Sequence, residues 1–122
     1  MDKEHKYVVV KFIKFIKDDL SLSKPFKVIF ATEQDDKLKT YAYYDPNSNI
    51  VKVLYKNRGL ADVLRSIAHE LIHHQQMEKG LLDKPVQDIG GNIEDEANSL
   101  AGAMVKKFGY ANPDLAIYSK NL

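Results

Sequence analysis

The sequence predicts a small α+β fold, and three patterns in its 122 residues lead to this prediction. Apolar residues recur at helical spacing near the N-terminus and again in the second half of the chain. Short runs of β-branched and aromatic residues lie between them, and a turn-rich pentapeptide separates two of these runs. Strands grouped apart from helices are typical of the α+β class. We therefore expect an N-terminal helix, a small three-stranded, mostly antiparallel sheet, two further helices and a short C-terminal tail.

Composition limits the function classes that need to be considered. The chain is 44% hydrophobic and 29% charged with a net charge of +1, which is ordinary for one small globular domain over residues 1–122 and gives no basic surface for nucleic acid or membranes. It contains no cysteine, so a metal site would have to use imidazole and carboxylate groups. No signal peptide or membrane-spanning run is apparent. We expect a cytoplasmic, monomeric protein with no nucleic-acid or membrane partner.

The first half of the chain is predicted to form one helix followed by three strands. Residues 3–20 place apolar side chains at helical spacing with lysines in the gaps, which predicts an amphipathic helix. Residues 26–31 form the first predicted strand. Residues 40–44 and 50–55 are two more, and the turn-rich stretch between them predicts an antiparallel hairpin.

Two helices are predicted in the second half. Residues 60–79 carry an apolar stripe on one side and end before Gly80, a natural helix C-cap. A loop follows, and residues 92–108 form the last predicted helix, with Ala97 and Ala101 on its apolar stripe. We expect Gly109 to end this helix and residues 109–122 to form the tail.

The stretch His69-Glu70-Leu71-Ile72-His73 is the sequence feature that bears most directly on function. Histidines four residues apart on a helix project from the same face, so both rings can reach one metal ion. Glu70 projects from a neighbouring line of the helix, close enough to accept a proton from a water on that metal. The spacing is the HExxH pattern, in which the glutamate acts as general base.

A catalytic zinc site needs a third protein ligand. Of the two other histidines, His74 points elsewhere on the helix and His5 lies in the N-terminal helix, so we expect a carboxylate. Helix phase favours Glu94, which falls on the flank of the last helix's apolar stripe, where a charge requires a partner. Acids in a first turn are also favoured by the helix dipole alone. The other candidates are Asp83, Asp88, Asp95 and Glu96.

These motifs resemble the gluzincin metallopeptidases, in which HExxH is followed by a second helix that supplies a glutamate ligand. The family commonly has Glu-x-x-x-Asp in that helix, and this chain has Glu94 followed by Asn98. The element order resembles that of the minimal single-domain forms, the minigluzincins. The resemblance implies hydrolysis of a peptide or protein substrate. One Zn²⁺ per chain would be held by His69, His73 and Glu94, with Glu70 as general base.

Several features of such an enzyme stay open at this point. The strand at residues 50–55 could align an extended substrate by its backbone. The tail could instead lie in the cleft and keep the enzyme latent, or the chain could be a non-catalytic interaction module with structural zinc. Candidates for stabilising the oxyanion are Tyr55, His74, Tyr110 and Tyr118.

Overall fold

The computed structural model describes residues 1–35, 38, 40–81 and 91–122, and it confirms the predicted α+β layout. The helices and strands, in chain order, are α1 (Lys3–Asp19), β1 (Lys27–Ala31), β2 (Ala42–Asp45), β3 (Ile50–Leu54), α2 (Leu60–Glu78) and α3 (Asn92–Ala111). Two short 3₁₀ turns, Pro113–Leu115 and Ile117–Ser119, follow α3. Within the described residues, none of the helices is long and apolar enough to cross a bilayer.

Helix α2 is the central element, in contact with α1, α3 and two strands of the sheet. The stripe predicted to face the core is completely buried: Leu60, Val63, Leu64, Ile67 and Leu71. The C-terminal half of α2 also buries polar side chains on its other sides. Because buried polar groups require partners, this half of α2 is where a chemically specific arrangement is expected.

The sheet is mixed, with strand order β1-β3-β2. The β2–β3 hairpin is antiparallel as predicted, whereas β1 pairs with β3 in parallel. After β1 the chain forms β2 at the opposite edge of the sheet. The hairpin then returns β3 to the space between β1 and β2, where it runs in the same direction as β1. The hypothesis that residues 50–55 offer an exposed edge to a substrate is therefore wrong. Among the described strands, the free edges belong to β1 and β2.

Helix α3 continues past Gly109, which was expected to end it, and stops at Ala111. Gly109 instead permits close packing, because a Cβ at this position would lie 3.2 Å from Cδ1 of Ile117. The helix ends at Ala111, and Asn112 directly precedes Pro113, a position at which helical geometry is disfavoured.

The tail that follows α3 folds back to the start of α2. The backbone N–H of Leu60 donates to the carbonyl of Lys120 at 2.8 Å, and the N–H of Leu122 donates to the carbonyl of Arg58 at 2.8 Å. Helix α2 has no side-chain cap at Gly59, so the tail satisfies one of its otherwise unpaired first N–H groups. Ile117 is buried and anchors this segment.

Candidate metal centre

His69, His73 and Glu94 come together between α2 and α3, as expected from the sequence. Oε1 of Glu94 lies 2.6 Å from Nε2 of His69 and 3.1 Å from Nε2 of His73. The two Nε2 atoms are 3.1 Å apart. Three potential ligand atoms therefore point to one position, two from consecutive turns of α2 and one from the first turn of α3.

Packing of the two helices fixes this convergence. Ala97 and Ala101 are completely buried, and their small side chains allow α3 to lie close to α2. Glu94 precedes Ala97 by about one turn of helix, so the same face of α3 that meets α2 carries its carboxylate toward the histidines. The structure therefore places Glu94 on the side of α3 that its position relative to the apolar stripe predicted.

The other candidate ligands lie elsewhere or outside the described residues. Asp95 is exposed, and the carboxylate of Glu96 accepts a hydrogen bond from Gln76. His5 lies 3.1 Å from Asp2 at the start of α1. Asp83 and Asp88 belong to the segment 82–90, which is not among the described residues.

Gln76, which the sequence analysis missed, orients His73. Its Nε2 donates to the carbonyl of Ile93 at 3.1 Å and to Oε1 of Glu96 at 2.9 Å, so its Oε1 faces Nδ1 of His73 at 2.7 Å. An amide oxygen only accepts, and Nδ1 must therefore carry the proton. In the neutral tautomer with this proton, the lone pair of His73 Nε2 is directed at Glu94 and His69. A sequence signal existed, because Gln76 follows His73 by three residues and shares its helix face.

This arrangement fits a bound cation. The lone pair of His73 Nε2 and the carboxylate of Glu94 face each other, and both favour a positive charge between them. Burial lowers the pKa of His69, and the neighbouring His73 ring lowers it further, which favours the neutral imidazole that binds metals. Zinc ligands at about 2.0–2.2 Å from the ion are about 3.3 Å from one another in a tetrahedral site, so the observed spacings need only a small expansion. Two imidazoles and one carboxylate are typical zinc ligands.

Glu70 lies beside the cluster in a buried position, with only 6% of the residue exposed. Burial raises the pKa of its carboxyl group to about 8, and the charge of Glu94 contributes to the rise. A cation held by the neighbouring ligands would lower this pKa again, because it stabilises the carboxylate form. The protonation state of Glu70 is therefore sensitive to the charge at the centre.

A cleft of about 340 Å³ opens beside His69 and Glu70. Its walls come from the segment at the start of β2, from the first half of α2 and from α3, the last through Asn98. Among the described residues that line it, none belongs to the tail, which is bound at the start of α2. The lining residues are Thr40, Tyr41, Ala42, Arg58, Asp62, Arg65, Ser66, His69, Glu70 and Asn98.

None of the four proposed oxyanion-stabilising side chains lines this cleft in the described structure. His74 is completely buried, with Nδ1 2.9 Å from the hydroxyl of Tyr44 and Nε2 2.9 Å from the carbonyl of Lys24. The hydroxyl of Tyr55 accepts from the N-terminal amine of Met1 at 3.3 Å. The tyrosine that does line the cleft is Tyr41, which lies in the predicted strand at residues 40–44.

The Gln76–His73 contact gives a testable expectation for metal affinity. Replacing Gln76 by leucine should weaken zinc binding by roughly 10- to 100-fold, the range seen when the outer partner of a ligand histidine is lost. The affinity would be measured by competition with a chromophoric chelator. Gln75→Leu is the matched control, because Gln75 donates to the carbonyl of Leu20 and does not contact His73. Equal affinities in the two variants would mean that Gln76 does not position the ligand.

The geometry therefore carries the functional interpretation. Ligand atoms of His69, His73 and Glu94 converge on one position, Gln76 fixes one of the rings, and Glu70 lines the cleft beside them. The resemblance to gluzincins rests on the HExxH stretch and on the downstream glutamate. No family model matches the chain, and no match was found among curated proteins or solved structures.

Proposed function

We propose that the chain is a zinc-dependent metallopeptidase. The observation that carries the proposal is the convergence of Nε2 of His69, Nε2 of His73 and Oε1 of Glu94, beside the buried carboxyl group of Glu70. The centre borders a cleft with room for a peptide. Three converging ligand atoms, a carboxyl group beside them and an adjoining cleft are together what an HExxH hydrolase requires.

His69, His73 and Glu94 would hold one Zn²⁺ per chain. When bound, zinc acts as a Lewis acid on a carbonyl oxygen and lowers the pKa of water to about 7. The described residues bring three ligand atoms together. Three protein ligands are typical of catalytic zinc, whereas structural zinc has four. The glutamate beside these ligands favours the enzyme over a module with structural zinc, because a purely structural site does not need a general base.

Glu70 would act as the general base. Its position on α2 directly follows His69, and its carboxyl group lines the cleft that a substrate would enter. In the carboxylate form it can accept the proton of the attacking water and pass it to the leaving amine. The buried surroundings keep the carboxyl group poorly hydrated, so its affinity for this proton is high.

The edge of β2 would align the substrate, in place of β3. The carbonyl of Tyr41 accepts from the N–H of Leu54 at 2.8 Å, so Tyr41 directs its backbone toward β3. Backbone groups alternate along a strand, and those of Ala42 and Tyr44 therefore point to the free edge. Ala42 lines the cleft. An extended peptide added at this edge would lie alongside the metal centre.

The proposal is tested by pairing a metal assay with a cleavage assay on the purified chain. We expect one zinc ion per chain and hydrolysis of unstructured peptides, detected by mass spectrometry. A chelator should remove both the zinc and the activity, and Zn²⁺ but not Mg²⁺ should restore them. Zinc bound at one per chain without cleavage of any member of a diverse peptide mixture would favour the non-catalytic module.

Other properties stay predictions. These are the cytoplasmic location, the monomeric state and the lack of nucleic-acid and membrane partners. The latent form would require the tail to leave its contacts with the start of α2 and enter the cleft.

A further inference from the structure

Two arginines line the cleft, and they differ in their contacts. The guanidinium of Arg58 is buried and fully engaged: it donates to the carboxylate of Asp62 at 2.8 and 3.0 Å, to the carbonyl of Leu54 at 2.5 Å and to the hydroxyl of Ser66 at 2.7 Å. It also lies over the ring of Tyr41, 4.4 Å from the centroid. Arg58 therefore holds the wall of the cleft together and has few donors left for a ligand.

Arg65 is exposed and free of such contacts. It forms no hydrogen bond or ion pair within the described part of the chain. Its side chain passes over Gly102 of α3, where a Cβ would lie 3.9 Å from the Arg65 Nε. Arg65 precedes His69 by four residues on α2, and both line the same cleft, so the guanidinium belongs to the wall that carries the metal centre. Since Asp62 is paired with Arg58, Arg65 presents to the cleft a positive charge that has no ion-pair partner among the described residues.

We propose that Arg65 binds a carboxylate of the peptide substrate, so that the enzyme prefers peptides with an acidic group close to the scissile bond. This inference rests on the proposed function. Arginine presents a planar set of donors that matches a carboxylate in bidentate fashion. The carboxylate could come from an aspartate or glutamate side chain or from the C-terminus of the peptide.

The distance between Arg65 and His69 along α2 predicts how far the acidic group of the substrate lies from the scissile bond. Arg65 precedes His69 by four residues, a rise of about 6 Å along the helix. An extended peptide advances about 3.3 Å per residue, so the acidic group would be about two residues from the bond that is cut. A second pocket of about 230 Å³ shares Asp62 and Arg65 with the cleft and reaches Tyr118. This pocket gives the substrate chain space to continue beyond Arg65.

Binding and cleavage are measured separately to test the inference. The zinc-loaded Glu70→Gln protein is titrated with fluorescent peptides that carry aspartate or alanine at each of the three positions on either side of the scissile bond. Each peptide is made with a free or an amidated C-terminus, which separates the two sources of carboxylate. We expect the best acidic peptide to bind about three- to tenfold more tightly than its neutral counterpart, the range for a partly exposed, bidentate ion pair.

Arg65→Gln, made in the same background, should bring the acidic peptide to the affinity of the neutral one. The neutral peptide should be bound within about twofold of the unsubstituted protein. Lys14→Gln removes the same charge from the exposed face of α1 and should preserve the preference. Equal binding of acidic and neutral peptides before substitution, or an unchanged preference in Arg65→Gln, would overturn the inference. A preference that depends on Arg65, with no cleavage when Glu70 is intact, would support the contact between Arg65 and a peptide carboxylate and would reject the peptidase.

Discussion

Replacing Glu70 by glutamine is expected to abolish peptide hydrolysis while one zinc ion stays bound per chain. Loss of a general base typically costs 10²- to 10⁴-fold in rate, so kcat should fall by at least about a hundredfold. The amide has the size of the carboxyl group but cannot accept and return the proton. Glu70 is not one of the three converging ligand atoms, and zinc affinity should therefore change little.

The fold should tolerate this substitution. Burial raises the pKa of Glu70 to about 8, so the metal-free protein already favours the neutral carboxylic acid at neutral pH. Glutamine is a neutral side chain of the same shape and should be accommodated without a buried charge. Thermal unfolding of the metal-free variant should therefore occur at or above the temperature of the unsubstituted chain.

Asp95→Asn serves as the control for loss of a carboxylate near the centre, because Asp95 is exposed and belongs to the same turn of α3 as Glu94. It should retain both zinc and hydrolysis. Full activity of zinc-loaded Glu70→Gln would place the general base elsewhere and remove the mechanism proposed for this cleft.

The parts of the site that could be predicted are those that helix geometry determines locally. His69 and His73 share a face because four residues make about one turn, and Glu94 was selected by its phase relative to Ala97 and Ala101. The same rule could have identified two residues that were missed. Arg65 precedes His69 by four residues, and Gln76 follows His73 by three. Neither belongs to the HExxH pattern, which specifies only the two histidines and the glutamate.

The sheet was less predictable, because the pairing of strands depends on contacts between distant segments. Alternation in β3 indicates that Val51 and Val53 share a buried face, but it contains no information about which strands lie on either side. The parallel β1–β3 pairing and the free edge of β2 therefore emerged only in the structure. The same limit applies to Tyr41, since a strand-like pattern does not reveal that the start of the strand borders a cleft.

Glu94→Ala is expected to weaken zinc binding by at least about a hundredfold, beyond the 10- to 100-fold typical for loss of an outer partner, because the substitution removes one of three ligand atoms. Affinity would again be measured by competition with a chelator, with Asp95→Ala as the matched control. The substitution also has a consequence without metal. The charge of Glu94 and its hydrogen bond raise the pKa of His69 against the larger effect of burial.

The pKa of His69 should therefore fall further in metal-free Glu94→Ala, which NMR titration of the imidazole resonances would detect. The NMR titration reports whether Glu94 lies close to His69, and the zinc affinity reports whether Glu94 binds the metal. A lowered pKa with unchanged zinc affinity would show that Glu94 lies beside the histidines without binding the metal, and would turn attention to Asp83 and Asp88. A lowered pKa together with weak zinc binding would identify Glu94 as the third ligand, because the loss of metal would then follow from removal of an oxygen that lies 2.6 Å and 3.1 Å from the two imidazoles.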